Sequence, residues 1–206
     1  MISGLWGKKI GMSQIFQEDG RVVPVTAVDV SHWYVTQVKT ADRDGYVAVQ
    51  VGLLRPRHQG KDFSREWLKS LSKYFAALRE VRVNGDEVFE VGSSIDVAKV
   101  LSSGDALDVI GTTIGKGFQG VVKRYGHSGG RASHGDKLGR GPGSLEGMRR
   151  SGRVRKGRKL PGHMGVARQT IRNLRVVAID QDVNVVFVKG SLPGKADSLV
   201  FMRKSE

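Results

Sequence analysis

The chain has 206 residues, of which 39% are hydrophobic and 26% charged, with no cysteine and a formal net charge of +14. This length suits one domain with or without insertions, and the lack of cysteine excludes a disulfide framework and a thiolate metal site. No apolar run predicts a membrane span, and the first sixteen residues do not read as a signal peptide. The charge favours nucleic acid over a membrane surface as the partner.

The amino-terminal quarter of the chain predicts short β-strands separated by turns. Alternating apolar residues and turn-forming residues place these strands at 4–16, 22–30, 34–39 and 46–51. Pro24 favours a sheet edge or a strand end at its position, because proline cannot donate a ladder hydrogen bond. The segment 42–45 is predicted as a turn.

The segment 63–78 changes to a helical period. Apolar residues recur at three- and four-residue intervals, with Asp62 or Ser64 available as the N-cap. The residues of this stripe are Phe63, Trp67, Leu71, Tyr74, Phe75 and Leu78. We therefore predict a helix whose aromatic face packs on the core; stacking of this face on nucleic-acid bases is the alternative.

Strand patterns return after residue 80 and continue on both sides of a glycine-rich segment. A hairpin is predicted over 81–91, a short strand or helical turn over 95–101, and strands over 106–111, 174–179, 183–189 and 199–203. Strands on either side of the glycine-rich segment must pair for both to share a core. This predicts a small, mainly antiparallel barrel that the returning chain closes.

The segment 111–175 carries the charge of the whole chain. It holds sixteen Lys and Arg residues against two acidic residues, so its net charge is +14, whereas the rest of the chain is balanced. Sixteen of its residues are glycine and its apolar residues are isolated, so burial cannot offset the entropy of ordering it. We expect a phosphate-rich partner, folded RNA above all, to order it. An inert solvated loop and a generic polyanion signal are the alternatives.

Motifs of enzymes occur in this segment without their usual context. GKGFQG at 115–120 matches a dinucleotide fingerprint, but glycines from Gly126 onward would end the helix that such a site needs. The histidines have no cysteine and too few carboxylates nearby for a zinc site, and no residue pattern orients a catalytic base near the serines. We expect no catalytic residue, no cofactor, no metal and no small-molecule substrate.

Several motifs together resemble the bacterial-type L-three family of large-subunit ribosomal proteins. They are GLWGKKIGMSQIF at 4–16, DGYVAVQVG at 44–52, DVIGTTIGKGFQGVVKR at 108–124, SHG at 133–135, GPGS at 141–144, GRVRKGRKLPGHMG at 152–165 and VVFVKGSLPG at 185–194. The resemblance implies a six-stranded antiparallel barrel of the translation-protein type, with a short helical insertion at about 54–80. It assigns 1–110 and 175–206 to the barrel and 111–174 to a long, extended basic loop that penetrates RNA.

The resemblance also implies a structural role in the large subunit rather than an enzymatic one. Family members bind large-subunit ribosomal RNA, act early in subunit assembly, support RNA near the peptidyl transferase centre, and neighbour subunit proteins fourteen and nineteen. The implied location is a cytoplasmic ribosome, with an organellar ribosome left open. The loop matches 126–165, and its tip near the peptidyl transferase centre is Leu145, Glu146, Gly147, Met148 and Arg149.

We predict that the cations and histidines of the basic segment contact RNA. These residues are Lys116, Lys123, Arg124, His127, Arg131, His134, Lys137, Arg140, Arg149, Arg150, Arg153, Arg155, Lys156, Arg158, Lys159, His163, Arg168 and Arg172. The tip differs from many relatives, because it lacks the glutamine that is methylated in them, and we carry no modification over. An architectural DNA-binding protein and an oxidoreductase that uses GKGFQG are the alternative functions.

Overall fold

The computed structural model describes residues 2–61, 63–83, 89–145 and 152–205. The chain divides into two compact units. The first, here called the barrel unit, comprises Met1–Thr112 and Arg168–Glu206. The second, here called the extension, comprises Thr113–Ala167. Within the described residues, no helix is both long and apolar enough to cross a lipid bilayer.

Strands dominate the described chain. In chain order they are β1 (Gly4–Phe16), β2 (Val22–Asp29), β3 (Trp33–Lys39), β4 (Ala48–Leu54), β5 (Phe75–Arg82), β6 (Ala106–Thr112), β7 (Gly117–Gln119), β8 (Gly162–Met164), β9 (Arg168–Asp180), β10 (Val185–Lys189) and β11 (Leu199–Lys204). The α-helices are α1 (Ala41–Asp44), α2 (Leu71–Tyr74), α3 (Val97–Val100) and α4 (Val121–Tyr125), and 3-10 helices cover Pro56–His58 and Arg65–Ser70.

Six strands form a closed antiparallel barrel in the order β1-β11-β6-β9-β10-β2. Strands β6 and β9, which lie on either side of the extension, pair with each other, with Gly111 opposite Gln169. The mainly β fold and the closure of the barrel by the returning chain are therefore confirmed. Pro24 lies opposite Gln14 of β1 but beyond the residues of β2 that pair with β10. Its missing N–H therefore leaves no ladder position unfilled.

Alternate, inward-facing residues of the six barrel strands fill the barrel interior. Leu107 and Val109 of β6, and Val186 and Val188 of β10, are completely buried in one apolar cluster. This period-two burial follows from the pleat of the strands, which points successive side chains to opposite faces. Each fully buried Val or Leu side chain contributes about 1.5–3 kcal/mol relative to an exposed one.

Strands β3, β4 and β5 form a second, three-stranded antiparallel sheet in that order. Its buried face includes Val35, Val49 and Val81, packed together in a separate apolar cluster. Across this sheet, Lys39 of β3 donates hydrogen bonds to Glu80 of β5 at 2.6 Å and to the Tyr46 hydroxyl at 2.7 Å. The hydrogen bonds that Glu80 accepts from Lys39 and Tyr46 lower the pKa of the Glu80 carboxyl from its ordinary value.

The prediction of one helix over 63–78 is wrong. A 3-10 helix, capped by Ser64, leads into the single turn α2, and Phe75 begins strand β5. Strand β5 pairs along its length with β4, and this tertiary pairing overrides the local helical period. The packing role predicted for the aromatic stripe is confirmed, because Trp67 and Phe75 are buried against Leu54.

Other local predictions were partly correct. The predicted turn at 42–45 is the helical turn α1, which ends at Gly45 in the left-handed conformation. The helical alternative for 95–101 is confirmed by α3, which Asp96 caps. Of the hairpin predicted over 81–91, residues 81–82 end β5 and residues 89–91 are not in a strand, whereas 84–88 lie outside the described residues.

Candidate nucleic-acid interface

A short antiparallel ribbon closes the base of the extension. Strands β7 and β8 pair with Phe118 opposite His163, and the Lys116 N–H donates to the Met164 carbonyl at 2.9 Å. Gly165 follows with φ of 84°, and a Cβ at this position would collide with the Ile114 carbonyl oxygen. Only glycine therefore fits at Gly165, and this close backbone approach brings the two ends of the extension together.

The GKGFQG motif does not form a dinucleotide site. Its residues supply strand β7 of the antiparallel ribbon, and the helix that follows, α4, has only five residues. The helix ends at Gly126, whose φ is 72° and whose N–H donates to the Val122 carbonyl. A dinucleotide fingerprint requires a sustained helix and a parallel sheet around it, and this segment provides neither.

Backbone hydrogen bonds shape the loop between α4 and the tip. The Gly130 N–H donates to the Gly139 carbonyl at 2.6 Å, and the Leu138 N–H donates to a carboxylate oxygen of Asp136 at 3.1 Å. A Cβ at Gly129 would lie 2.9 Å from the Gly139 carbonyl oxygen, so the two segments of this loop approach each other more closely than a side chain at Gly129 would allow. Asp136 thus serves a local turn.

Two cations lie close to the Tyr125 ring at the end of α4. The guanidinium carbon of Arg124 lies 5.0 Å from the centre of the Tyr125 ring, and the Lys159 ammonium lies 5.8 Å from it. Arg124 also donates to the Leu160 carbonyl at 2.7 Å, which ties α4 to the segment before β8. The His127 ring lies 6.2 Å from the Tyr125 ring. Cation–π attraction at these distances holds positive charge in a fixed place.

The structure places most predicted contact residues on the surface of the extension. Arg124 and His127 are partly buried, whereas the other described ones in the extension are exposed. Arg168 and Arg172 are exposed on β9 and belong to the barrel unit. Leu145 of the predicted tip is partly buried, and its other residues, together with Arg150, lie outside the described residues.

The cations of the extension are not neutralised within the part of it that the structure describes. Thirteen Lys and Arg residues and two acidic residues fall between residues 113 and 167, for a net charge of +11. The ion pairs between described residues all lie in the barrel unit. Such a surface can bind a polyanion, because each cation is free to replace a condensed counterion on a phosphate. Among the described residues, no group of three His, Asp or Glu is placed to hold a metal ion.

Sequence reasoning missed one residue of this surface. Phe118 is 76% exposed in the middle of β7. Two apolar residues close in sequence to the ribbon strands, Ile114 and Val166, are also exposed. The available signal was an isolated aromatic between glycines in a cationic segment. That signal does not distinguish a buried ring from an exposed one without the pairing of β7 and β8.

Comparisons with known proteins agree on one family. The family model described as Ribosomal protein L3 matches residues 66–185. The large ribosomal subunit protein uL3 of Desulfitobacterium hafniense (strain Y51) is 45% identical over 204 residues, which cover 98% of this chain and 95% of the relative. The proteins of the same name from Geotalea daltonii and Pelotomaculum thermopropionicum are each 43% identical over 207 residues, which cover 100% of this chain and 98% of each relative. The resemblance seen in the sequence motifs is thereby confirmed, and this chain belongs to the ribosomal protein L3 family.

Proposed function

We propose that this chain is a structural protein of the large ribosomal subunit and that its extension binds large-subunit ribosomal RNA. The observation that carries the proposal is the set of exposed cations in the extension that have no carboxylate partner among the described residues. Family membership supports the choice of ribosomal RNA as the polyanion. In this role the protein contributes binding and positioning of RNA and no chemical step.

The binding mechanism follows from charge and backbone shape. Lysine and arginine side chains neutralise phosphates and release condensed counterions, which favours the complex entropically. Arginine adds a planar fork that binds phosphate oxygens and stacks on bases. Glycine turns let the backbone come close to RNA on sides where a Cβ would intrude. We expect the extension to be ordered by RNA rather than before it binds.

The position of the protein in the subunit is part of the same proposal. The protein binds early in subunit assembly, its extension reaches towards the peptidyl transferase centre, and the tip at 145–149 supports RNA there. Its neighbours are subunit proteins fourteen and nineteen. Family membership supports this placement, and the net charge of +11 on the extension suits the phosphate density where RNA helices converge.

A charge-neutralising variant tests the binding proposal. Glutamine replaces the five described cations of one exposed segment: Arg153, Arg155, Lys156, Arg158 and Lys159. Binding to large-subunit RNA is measured over a salt series, and removal of five phosphate contacts should reduce the slope of log K against log[salt] by about 3.5–4.5. The matched control replaces five exposed cations of the barrel unit: Arg43, Arg57, Lys61, Lys69 and Lys99. This control should leave the slope near that of the natural chain.

The same measurement separates the alternatives. RNA selectivity over duplex DNA supports the proposal, and equal affinity for both would support a generic polycation or an architectural DNA-binding protein. An unchanged slope in the extension variant, with a reduced slope in the barrel control, would overturn the assignment of RNA binding to the extension.

A further inference from the structure

The β7–β8 ribbon exposes an aromatic residue that no interaction within the described protein explains. Phe118 has the largest exposed fraction of any large apolar side chain among the described residues, at 76%. Its ring makes no ring–ring or cation–π contact within the described part of the chain. A phenyl ring that is 76% exposed in a cationic unit suits a ligand that combines an apolar face with negative charge.

His163 extends this aromatic surface. It lies directly opposite Phe118 in the antiparallel ribbon and is also exposed. Directly opposed residues project from the same face of a ribbon, with Cβ atoms about 4.5–5.5 Å apart. The ribbon therefore presents two exposed aromatic side chains on one face.

The two faces of the ribbon differ in access. A Cβ at Gly162, on the face opposite to Phe118, would meet the Arg124 guanidinium, so Arg124 covers that face at this position. Gly117 precedes Phe118 and Gly120 lies two residues after it, and a Cβ at either position would have no protein atom within 4 Å. The rings of Phe118 and His163 are therefore accessible to a flat ligand.

We propose that Phe118 and His163 form a stacking site for an unpaired base of RNA. This inference rests on the proposed function and specifies what this part of the extension recognises. An unpaired base presents a free π-face, and its phosphates can be neutralised by exposed cations such as Lys116 and Lys123. Bases in a duplex are already stacked on each other and cannot occupy the site. An uncharged apolar protein segment would gain nothing from the surrounding charge.

The test uses the full chain and two probes of equal length, a single-stranded oligoadenylate and a duplex RNA. Phe118→Ala should weaken binding to oligoadenylate about tenfold or more and change duplex binding less than about twofold. The salt slope should stay the same, because no cation is removed. Phe118→Trp should retain the affinity, and Phe118→Leu should not, because leucine keeps apolar bulk without a π-face. His163→Ala should show a smaller loss of the same selectivity.

Ile114→Ala is the matched control. Ile114 is 58% exposed in the same unit but has no ring, so its removal should leave oligoadenylate binding unchanged. Circular dichroism confirms that each variant keeps the fold of the natural chain. A fluorescent 2-aminopurine in the oligonucleotide should be quenched by the natural chain and by Phe118→Trp, and less by Phe118→Ala, since quenching reports stacking.

Two negative outcomes have different meanings. Salt-dependent RNA binding that Phe118→Ala does not alter, or alters equally for single strands and duplexes, would overturn the stacking site and leave the proposed function standing. Failure of the natural chain to bind any RNA would overturn the proposed function and the stacking site with it.

Discussion

The barrel unit and the extension treat charge in opposite ways. In the barrel unit, Lys39 pairs with Glu80 at 2.6 Å and Arg203 pairs with the buried Asp108 at 3.0 Å. In the described part of the extension, Asp136 serves a backbone turn, and the exposed cations have no described carboxylate partner. The barrel unit thus pairs part of its charge internally. The extension keeps its charges available for a partner.

The two units also differ in apolar packing. The barrel unit contains three apolar clusters, whereas Val121 is the one buried apolar side chain in the described part of the extension. Glycine turns and backbone hydrogen bonds shape the extension instead. We therefore expect substitutions in the barrel unit to change stability and substitutions in the extension to change binding.

The largest expected effect is on the barrel core. Leu107 is completely buried in β6, and Leu107→Ala should lower the free energy of unfolding by about 2–5 kcal/mol, because it removes apolar contacts and leaves a cavity. Leu138→Ala in the extension, at a position that is 46% exposed, should change it by less than about 0.5 kcal/mol. Denaturant unfolding measures both. Similar losses in the two variants would contradict the difference in packing between the units.

A smaller loss is expected at the buried carboxylate of the barrel unit. Asp108 accepts hydrogen bonds from the Arg203 guanidinium and from the Asn173 N–H. Asp108→Ala should lower the free energy of unfolding by about 1–3 kcal/mol, because it leaves partly buried donors without an acceptor. In contrast, Asp19→Ala, which removes an exposed ion pair with Arg21, should cost less than about 1 kcal/mol. Equal losses in the free energy of unfolding would show that burial does not raise the contribution of the Asp108–Arg203 pair.

The paired charges of the barrel unit should also make its stability sensitive to acid. A hydrogen bond from Lys204 and one from the Ser102 N–H lower the pKa of Asp105 from its ordinary value of 3.8. A lowered pKa stabilises the fold above about pH 3.8, and this contribution is lost as the pH falls through the folded-state pKa. Asp105→Asn should therefore weaken the fall in stability below about pH 3.8.

Unfolding experiments at several pH values measure this effect. Asp182→Asn, at an exposed turn between β9 and β10, is the control and should leave the acid dependence unchanged. If Asp105→Asn and the control behave alike, the Lys204 pair does not contribute to acid sensitivity.

The smallest expected effect concerns one cation of the extension. Lys156→Gln should leave the free energy of unfolding unchanged and reduce the salt slope of RNA binding by about 0.7–0.9, because one phosphate contact is lost. Lys99→Gln, at an exposed position of the barrel unit, should leave both quantities unchanged. RNA titrations at several salt concentrations measure the slope. A larger slope change for Lys99 than for Lys156 would place RNA contacts on the barrel unit.

The closed barrel could be predicted from the sequence because apolar and polar residues alternate strongly along its strands. The strands before and after the extension must also pair to form one core, and β6 and β9 do so. The helix at 63–78 was predicted wrongly because the three- and four-residue spacing of the aromatic residues is typical of a helix. That spacing gives no information on the strand with which Phe75 pairs. Only the pairing of β5 with β4 shows that this segment extends the sheet.

The charge of the candidate site was predictable, and part of its geometry was not. Composition alone identified the cationic segment, whose described cations lie mostly on the surface. The exposure of Phe118 depends on the pairing of two three-residue strands that are 42 residues apart. The link between Asp108 and Arg203 joins residues that are 95 positions apart, and no local pattern predicts it.

The most direct test of the difference between the units replaces residues 126–165 with a short Gly-Ser linker. Binding to large-subunit RNA and to duplex DNA is measured across a salt series, together with the unfolding of the barrel unit. We expect the natural chain to bind RNA selectively and to lose about three to five decades of affinity between 50 and 200 mM salt. The linker variant should unfold as cooperatively as the natural chain and lose its RNA selectivity. A folded linker variant that still binds RNA with the natural affinity and selectivity would contradict the account, because recognition would then lie in the barrel unit.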